Sequence, residues 1–264
     1  MTAEAVMITG AGARLGRALA LDLASAGHDI VAHYNRSRGP AESLKADVTA
    51  MGRRCDLVSG DLADPAAVDA LVEAVERLGE GRSLHLINNA AAFGFDLFGE
   101  TDGAALARFQ QVNMIAPVLL AQRVLAGSTQ GVPRTVINIL DAKLKALNPD
   151  YFAYSLAKVS LAGATTMMAR QMGDRGRVYG LSPSMILESG PETTGRVARL
   201  KRMNALKRPV DPDHVCQAAR LCLSGAVASG EIITLDAGQF LLRLPREVGF
   251  LDERIEESAS PMRQ

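Results

Sequence analysis

A phenol and an ammonium group stand four residues apart at Tyr154 and Lys158, within a stretch whose apolar periodicity predicts a helix. Residues at this spacing lie on one helical face. A phenol with its ordinary pKa of about 10 exchanges protons poorly at neutral pH, and a neighbouring lysine lowers that pKa. The pair can therefore act as an acid or a base, although an isolated pair at this spacing also arises by chance.

Two further polar candidates precede this pair. Asp141 ends a predicted strand thirteen residues before Tyr154, and Asn113 lies in the predicted helix before that strand. An ionised carboxylate only accepts hydrogen bonds, and it raises the pKa of a nearby phenol. Asp141 therefore suits a substrate that offers N–H groups, or it stays protonated and donates; a cap or a salt bridge is its structural alternative.

A glycine-rich turn separates the first predicted strand from the first predicted helix. Its sequence is Thr9-Gly10-Ala11-Gly12-Ala13-Arg14-Leu15-Gly16. Glycines permit a tight turn and a close approach of the backbone to a pyrophosphate, and a helix N-terminus supplies free N–H groups. The turn predicts a dinucleotide site.

The second predicted strand ends without the acidic residue that an NAD-preferring site carries to bind the ribose 2′-hydroxyl. In its place the sequence reads His33-Tyr34-Asn35-Arg36-Ser37-Arg38. Guanidinium groups and a hydroxyl complement a 2′-phosphate, which a carboxylate repels. NADP(H) is therefore favoured over NAD(H), with plain solubilising arginines as the alternative.

Two more strand ends carry candidates. Asp61 and Leu62 follow the third predicted strand, where a carboxylate can accept from an adenine amino group, and Asn88-Asn89-Ala90 ends the fourth. Parallel α/β sheets bind ligands at these carboxyl ends.

Short β-branched runs alternate with longer helical patterns, which predicts an α/β fold with one Rossmann-type, doubly wound parallel sheet of about seven strands and helices on both faces. The predicted strands are Ala5–Thr9, Asp29–Tyr34, Arg54–Ser59, Leu84–Asn88, Thr135–Leu140, Gly176–Leu181 and Glu231–Leu235. The predicted helices are Leu15–Ser25, Ala41–Met51, Pro65–Leu78, Gly103–Leu125, Tyr151–Met172 and Asp211–Leu223. No linker divides the chain, so we expect one domain over residues 1–264.

Composition narrows the function classes. Lys plus Arg and Asp plus Glu both number 29, so no net charge draws the chain to nucleic acid or to an anionic membrane. Neither the three cysteines nor the four histidines have metal-ligand spacing, and no disulfide framework is present. Because no signal peptide and no membrane-spanning apolar run is seen, we expect a soluble, cytoplasmic protein with no metal, nucleic-acid or membrane partner.

Two segments depart from the strand and helix pattern. Residues 182–210 are rich in basic side chains, which favours either a solvated helix face or a mobile lid over an anionic or polar substrate. Residues 245–264 are charged and nearly free of aromatic residues, so we expect a loose tail.

In this order, the glycine turn, Asn88-Asn89-Ala90, Asn113 and the Tyr154/Lys158 pair resemble the motifs of the short-chain dehydrogenase/reductase family, from residue 5 to about residue 242. The resemblance implies a Rossmann-type fold and a nicotinamide cofactor. It also implies Tyr154 as proton donor, Lys158 holding the cofactor ribose, Asn113 supporting a proton-relay water, and a homotetramer formed through the helices at 103–125 and 151–172.

Two departures from the family pattern narrow the resemblance. Arg14 replaces a usual glycine and Asp141 a usual catalytic serine, and both changes resemble the pteridine reductase branch, as do the residues at 33–37 and Phe93. That likeness implies that Arg14 contacts cofactor phosphate and substrate, that Phe93 stacks on a flat heterocycle, and that Asp141 joins Tyr154 in delivering the proton. Ala91 and Ala92 replace serines of that branch, which leaves the substrate contacts open.

The expected sites are therefore these. The cofactor site comprises Gly10, Gly12, Arg14, Leu15, Gly16, Asn35, Arg36, Ser37, Asp61, Leu62, Asn89, Ala90, Lys158 and Pro183, and the substrate site comprises Arg14, Phe93, Asp141 and Tyr154. The expected activity is NADPH-dependent reduction of a dihydropterin-like small molecule. A short-chain carbonyl reductase or alcohol dehydrogenase, and a non-catalytic NADP-binding regulator, are the alternatives.

Overall fold

The computed structural model describes residues 4–78, 83–128, 132–184 and 198–251. Seven parallel strands form one sheet in the order β3-β2-β1-β4-β5-β6-β7. The strands are β1 (Glu4–Ile8), β2 (Asp29–Tyr34), β3 (Cys55–Ser59), β4 (Ser83–Asn88), β5 (Arg134–Ile139), β6 (Gly176–Pro183) and β7 (Ile232–Leu235). The predicted doubly wound sheet is thus confirmed, and the strand order reverses between β1 and β4, where such sheets bind ligands.

Helices cover both faces of the sheet. They are α1 (Arg14–Ser25), α2 (Arg38–Ala50), α3 (Pro65–Leu78), α4 (Gly103–Gln110), α5 (Ala116–Ala126), α6 (Phe152–Met172) and α7 (Pro212–Ser224). Short 3₁₀ turns span Ala142–Lys145 and Gln239–Leu242.

The side chains of β1 explain why both faces are covered. Val6 and Ile8 enter the apolar cluster beneath α1, α2 and α7, whereas Ala5 and Met7 enter the cluster beneath α3, α5 and α6. Successive side chains of a strand point to opposite faces, so a continuous apolar run marks a strand that is buried on both sides.

The predicted helix at 103–125 is not continuous. A π-helical turn, Gln111–Ile115, separates α4 from α5, and Asn113 lies within it, fully buried. Pro117 has no N–H, so the regular helical bond to the carbonyl oxygen of Asn113 cannot form. Single π-helical turns of this kind are frequent at functional sites.

Candidate active site

The glycine turn brings backbone segments too close together for side chains. Gly10 has a φ of +66°, and a Cβ on Gly16 would lie 2.2 Å from the carbonyl oxygen of Gly10. The helix α1 begins after Ala13 without a side-chain cap, and no acidic residue occupies its first turn. A helix N-terminus without a capping side chain or an acidic residue favours an anionic ligand.

The buried side chain of His33 is hydrogen-bonded to the glycine turn. Its Nδ1 accepts from the N–H of Gly10 at 3.2 Å, and its Nε2 lies 3.0 Å from the carbonyl oxygen of Gly60. Burial lowers the pKa of His33, so the ring is neutral and donates through Nε2. The sequence predicts His33 only as part of the end of β2, because its supporting role depends on contacts 23 and 27 residues apart.

A second set of bonds joins the turn to the end of β4. The Thr9 hydroxyl accepts from the N–H groups of Asn89 and Ala90 at 2.9 and 3.0 Å. The Asn89 side chain in turn donates to the carbonyl oxygen of Thr9 at 2.9 Å. These bonds fix the two strand ends on either side of the point where the strand order reverses.

A groove of about 750 Å³ runs over these strand ends. Its lining includes Gly10, Gly12, Arg14, Leu15, Gly16, Asn35, Arg36, Ser37, Asn89, Ala90, Lys158 and Pro183. Exposed Arg36 and Ser37 line the groove, whereas Arg38 pairs with Glu42 within α2. The glycine backbone, the uncapped helix end and the arginines fit the phosphates of a dinucleotide.

Asp61 and Leu62, two expected cofactor residues, are not among the residues that line the groove. The Asp61 carboxylate accepts from the N–H of Ala63 at 2.9 Å, and this bond lowers its pKa, with the Asn35 side chain and the charge of Arg36 acting in the same direction. The Leu62 side chain is buried in the core beneath α3. Asp61 thus lies beside the groove and Leu62 packs below it.

Lys158 is buried, and its Nζ donates to the carbonyl oxygen of Ile139 at 2.6 Å. The ammonium lies 5.7 Å from the centre of the Tyr154 ring. Burial lowers the pKa of Lys158 to about 8, against the opposing effect of Asp141. The helix α6 therefore presents both groups at one end of the groove, as their spacing predicts.

The Tyr154 hydroxyl donates to Oδ2 of Asp141 at 2.9 Å. The other carboxylate oxygen, Oδ1, accepts from the N–H of Lys143 at 2.9 Å and so caps the short turn that follows β5. Burial, and then the charge and hydrogen bond of Asp141, raise the pKa of Tyr154. This direction is opposite to the one expected from the lysine alone, because the phenol is buried and is bonded to Asp141 and not to Lys158.

Asn113 is not bonded to Tyr154 or Lys158 among the described residues. Its side chain donates to the carbonyl oxygen of Ala92 and accepts from the N–H of the same residue, both at 2.9 Å. This pair of bonds fixes the loop that carries Phe93. The water-supporting role that the family resemblance implies for Asn113 stays a prediction.

A cavity of about 360 Å³ adjoins the groove. Both are lined by Phe93, Asp141, Tyr154 and Ser184. Three of the four expected substrate residues therefore stand on the common wall, whereas Arg14 lines the groove alone. A molecule in the cavity and one in the groove would meet at Tyr154.

Aromatic rings surround the mouth of this cavity. Phe93 is 57% exposed and stacks on Tyr151 with ring centres 4.5 Å apart, and its edge contact with Tyr154 spans 4.9 Å. Phe95 contacts Tyr151 and Phe250 at 5.4 and 5.1 Å. Tyr151 adopts a left-handed φ of 54°, so α6 begins one residue later than predicted, at Phe152.

The C-terminal segment differs from the expected loose tail over residues 245–251. Buried Asp150 accepts from the Arg246 guanidinium at 2.6 Å and from the N–H of Glu247 at 2.7 Å, and Val248 is buried. Residues 246–250 line the cavity. These bonds join positions 96 and 97 residues apart, so no local pattern reveals them; residues 252–264 lie outside the described part of the chain.

The expected lid at 182–210 is described only at its two ends, since residues 185–197 lie outside the described ranges. Within 198–210, Leu200, Asn204 and Val210 are buried, and of these residues Leu200 alone lines the cavity. The basic side chains of Arg202, Lys207 and Arg208 are exposed. These three side chains lie outside any helix, so they form a solvated surface but not the solvated helix face that was one of the two alternatives.

Neither a metal cluster nor a membrane helix is found in the described ranges. No group of three or more His, Cys, Asp or Glu side chains there is arranged to hold a metal ion. No helix there is both long and apolar enough to cross a bilayer.

Several known proteins are similar to this chain in sequence and fold. A structure of FolM alternative dihydrofolate reductase 1 from Brucella suis, in complex with NADP, is 29% identical with a TM-score of 0.81, covering 90% of this chain and 95% of that one. The reductase LugOII, which catalyses keto-reduction in lugdunomycin biosynthesis, is 26% identical with a TM-score of 0.82, covering 91% and 98%. Pteridine reductase 1 of Leishmania tarentolae is 29% identical over 223 residues, which cover 70% of this chain and 77% of that protein.

A family model described as Enoyl-(Acyl carrier protein) reductase matches residues 10–239. The match runs from the glycine turn through Tyr154 and Lys158 to the strand β7, so it includes the groove and the common wall. The chain belongs to the short-chain dehydrogenase/reductase family.

Proposed function

We propose that this chain is an NADPH-dependent reductase of a flat, N–H-bearing heterocycle of the dihydropterin type. It is an oxidoreductase of the short-chain family, and its cofactor is NADP(H). The observation that carries the narrower proposal is the bond between Tyr154 and Asp141 at a wall shared by the groove and the cavity. Similarity to FolM and to pteridine reductase 1 supports it.

The groove residues would hold the cofactor. Arg36, Ser37 and Arg14 would contact its phosphates, the first N–H groups of α1 its pyrophosphate, and Lys158 its ribose. When bound, NADPH supplies a hydride. The protein contributes the position of the reactants and a proton.

Tyr154 is the group that gives this proton. Burial and Asp141 raise its pKa, so the phenol is protonated at neutral pH and acts as an acid. A phenolate beside an ionised carboxylate is costly, and an N–H that the substrate donates to Asp141 lowers this cost, so Tyr154 gives its proton more readily to a substrate that carries such a group. A bare ketone offers no N–H, and this distinguishes a heterocycle from a simple carbonyl substrate.

Phe93 supplies the apolar surface of the site. The residue is 57% exposed at the common wall, and an offset stack on a flat ring would replace its contact with water. Asn113 supports this arrangement because its two bonds to Ala92 fix the residue that precedes Phe93.

Reduction of a ketone is the second candidate, since LugOII reduces one and shares this fold. The test is NADPH oxidation by the purified chain with dihydropterins, dihydrofolate and a panel of ketones. Turnover of dihydropterins above the ketones is expected. Turnover of ketones alone would contradict the pterin assignment, and tight NADPH binding with no oxidation by any compound would indicate a non-catalytic regulator.

The family resemblance further leads us to propose a homotetramer formed through α4, α5 and α6, which occupy the predicted helices at 103–125 and 151–172. On α6, the exposed apolar side chains of Leu156, Val159 and Met167 support this proposal, because an uncovered apolar face marks an interaction surface. Sedimentation velocity should give four times the mass of the chain. Replacement of Met167 by Glu should shift the mass distribution to smaller species, and a monomeric wild type would contradict the proposal.

A further inference from the structure

We propose that Glu247 determines substrate specificity by selecting molecules with an amino or other cationic group at the end away from the reacting bond. The inference rests on the proposed function, because it assumes that the cavity holds the substrate. Glu247 lines the cavity but not the groove, whereas Tyr154 lines both. A substrate that reacts at Tyr154 and fills the cavity would therefore pass Glu247, whose charge also contributes to the raised pKa of Tyr154.

The fold holds Glu247 firmly in this position. Its N–H donates to Asp150 at 2.7 Å, and its Oε1 lies 3.2 Å from Nζ of Lys143 and 3.3 Å from Nδ2 of Asn148. Among the described residues, Lys143 and Asn148 both contact the same carboxylate oxygen, Oε1. Since a carboxylate has about four acceptor positions, Oε2 is left to accept from a ligand. The side chain is 28% exposed, so a ligand in the cavity can reach it.

The positive charges that the described residues place on the cavity wall are paired with protein partners. Arg246 pairs with the buried carboxylate of Asp150 at 2.6 Å. Lys143, with a side chain only 6% exposed, donates to the carbonyl oxygen of Asp150 and pairs with Glu247. Among the lining residues these two cations stand against the carboxylates of Asp141, Asp236 and Glu247. The cavity therefore favours a cation over an anion.

Two further properties of the cavity wall favour a cationic ligand. Burial raises the pKa of Glu247, so the charge of Lys143 does not fully compensate the cost of holding an ionised carboxylate there. A ligand cation would supply the missing compensation. The open ring surface of Phe93 attracts cations as well.

The test compares Glu247→Gln with the wild type on ligands that differ in one charge. The first set is 6-aminomethylpterin, 6-hydroxymethylpterin and 6-carboxypterin, whose dissociation constants are measured by titration calorimetry with NADP+ at saturation. The second set is 4-(aminomethyl)acetophenone and 4-acetylbenzoate, whose kcat and KM are measured with NADPH. The control is Glu231→Gln, which removes an exposed carboxylate that does not line the cavity.

The wild type and the control should bind the amine better than the carboxylate in whichever set is accepted. Glu247→Gln should reduce that preference by about tenfold or more, through KM rather than kcat, because a charge-assisted hydrogen bond is lost. The variant loses the ion pair with Lys143, so its unfolding temperature should fall somewhat, whereas its NADPH affinity should match the wild type. An unchanged preference in a folded variant overturns the inference and leaves the proposed function intact. If the wild type accepts neither set, the proposed function fails and the inference fails with it.

Discussion

The hydroxyl of Tyr154 donates to Oδ2 of Asp141 at 2.9 Å, so the proposed proton donor is bonded to a carboxylate and not to a second hydroxyl. The carboxylate is fixed in turn by the N–H of Lys143. This arrangement keeps the phenol protonated and gives the site an acceptor for substrate N–H groups. The choice of substrate therefore depends on residue 141 as much as on Tyr154.

Replacing Asp141 with serine should move the enzyme toward ketones. The substitution removes the charge that helps to raise the pKa of Tyr154, and it supplies a hydroxyl that donates to a carbonyl oxygen. We expect the ratio of kcat/KM for a dihydropterin to that for a ketone to fall by about tenfold or more, as loss of a charge-assisted bond implies. Steady-state kinetics with both substrates measure it, and an unchanged ratio would contradict the role of Asp141.

Replacing Arg36 with alanine should weaken the preference for NADPH over NADH. Arg36 lines the groove, whereas Arg38 pairs with Glu42 outside the groove lining and serves as the matched control. Loss of one guanidinium contact with a phosphate should reduce the preference by about tenfold, and Arg38→Ala should leave it nearly unchanged. Fluorescence titration with NADPH and NADH measures this preference. Equal effects of Arg36→Ala and Arg38→Ala would show that the 2′-phosphate does not contact Arg36.

Replacing Gly16 with alanine should destabilise the cofactor turn. The new Cβ would lie 2.2 Å from the carbonyl oxygen of Gly10, and this overlap with backbone should lower the free energy of unfolding by about 1–3 kcal/mol. In Gly12→Ala, by contrast, the nearest atom is the backbone nitrogen of Ala41 at 3.4 Å. Urea unfolding should therefore separate the two variants, and equal stabilities would argue against the close approach.

Acid should destabilise the fold through His85. Its Nδ1 accepts from the N–H of Thr135 at 3.0 Å, and burial lowers its pKa from 6.5 to about 4. Below pH 6.5, His85 binds a proton in the unfolded chain but stays neutral in the folded chain until the pH approaches 4. The free energy of unfolding therefore falls as the pH is lowered. Between pH 7 and pH 5 this loss amounts to about 2 kcal/mol.

The matched variant is His85→Gln, whose amide oxygen can still accept from Thr135 but does not titrate. Urea unfolding at both pH values should show a smaller loss of stability in the variant. His33, which is also buried with a lowered pKa, contributes equally to both proteins. Identical losses in the two proteins would show that His85 is protonated in the folded state.

The sequence allows the sheet and much of the groove to be predicted because their signals are local. The glycine turn between β1 and α1 requires only the residues from Thr9 to Gly16, and Tyr154 and Lys158 share a face because they stand one helical turn apart. The strand patterns are equally local, since β1 contains the apolar run at 5–8 and β2 the apolar run at 30–32.

The wall formed by residues 246–250 could not be predicted in this way. It depends on Asp150, which accepts from a guanidinium 96 residues later in the chain, and the charged composition of residues 245–264 is typical of a loose tail. The π-helical turn at Asn113 could be predicted only in part from the sequence. Pro117 is a visible signal for a broken helical bond, but the two bonds of Asn113 to Ala92 are tertiary contacts.

The most direct test of the account is the single-turnover rate of NADPH oxidation by Tyr154→Phe with saturating dihydropterin, or with the preferred ketone if ketones prove to be the substrates. The control is Tyr179→Phe, which removes a phenol bonded to the carbonyl oxygen of Val227. Loss of the general acid should slow Tyr154→Phe by about 100-fold or more, with NADPH affinity unchanged. A rate within a few-fold of the wild type would contradict proton delivery by Tyr154.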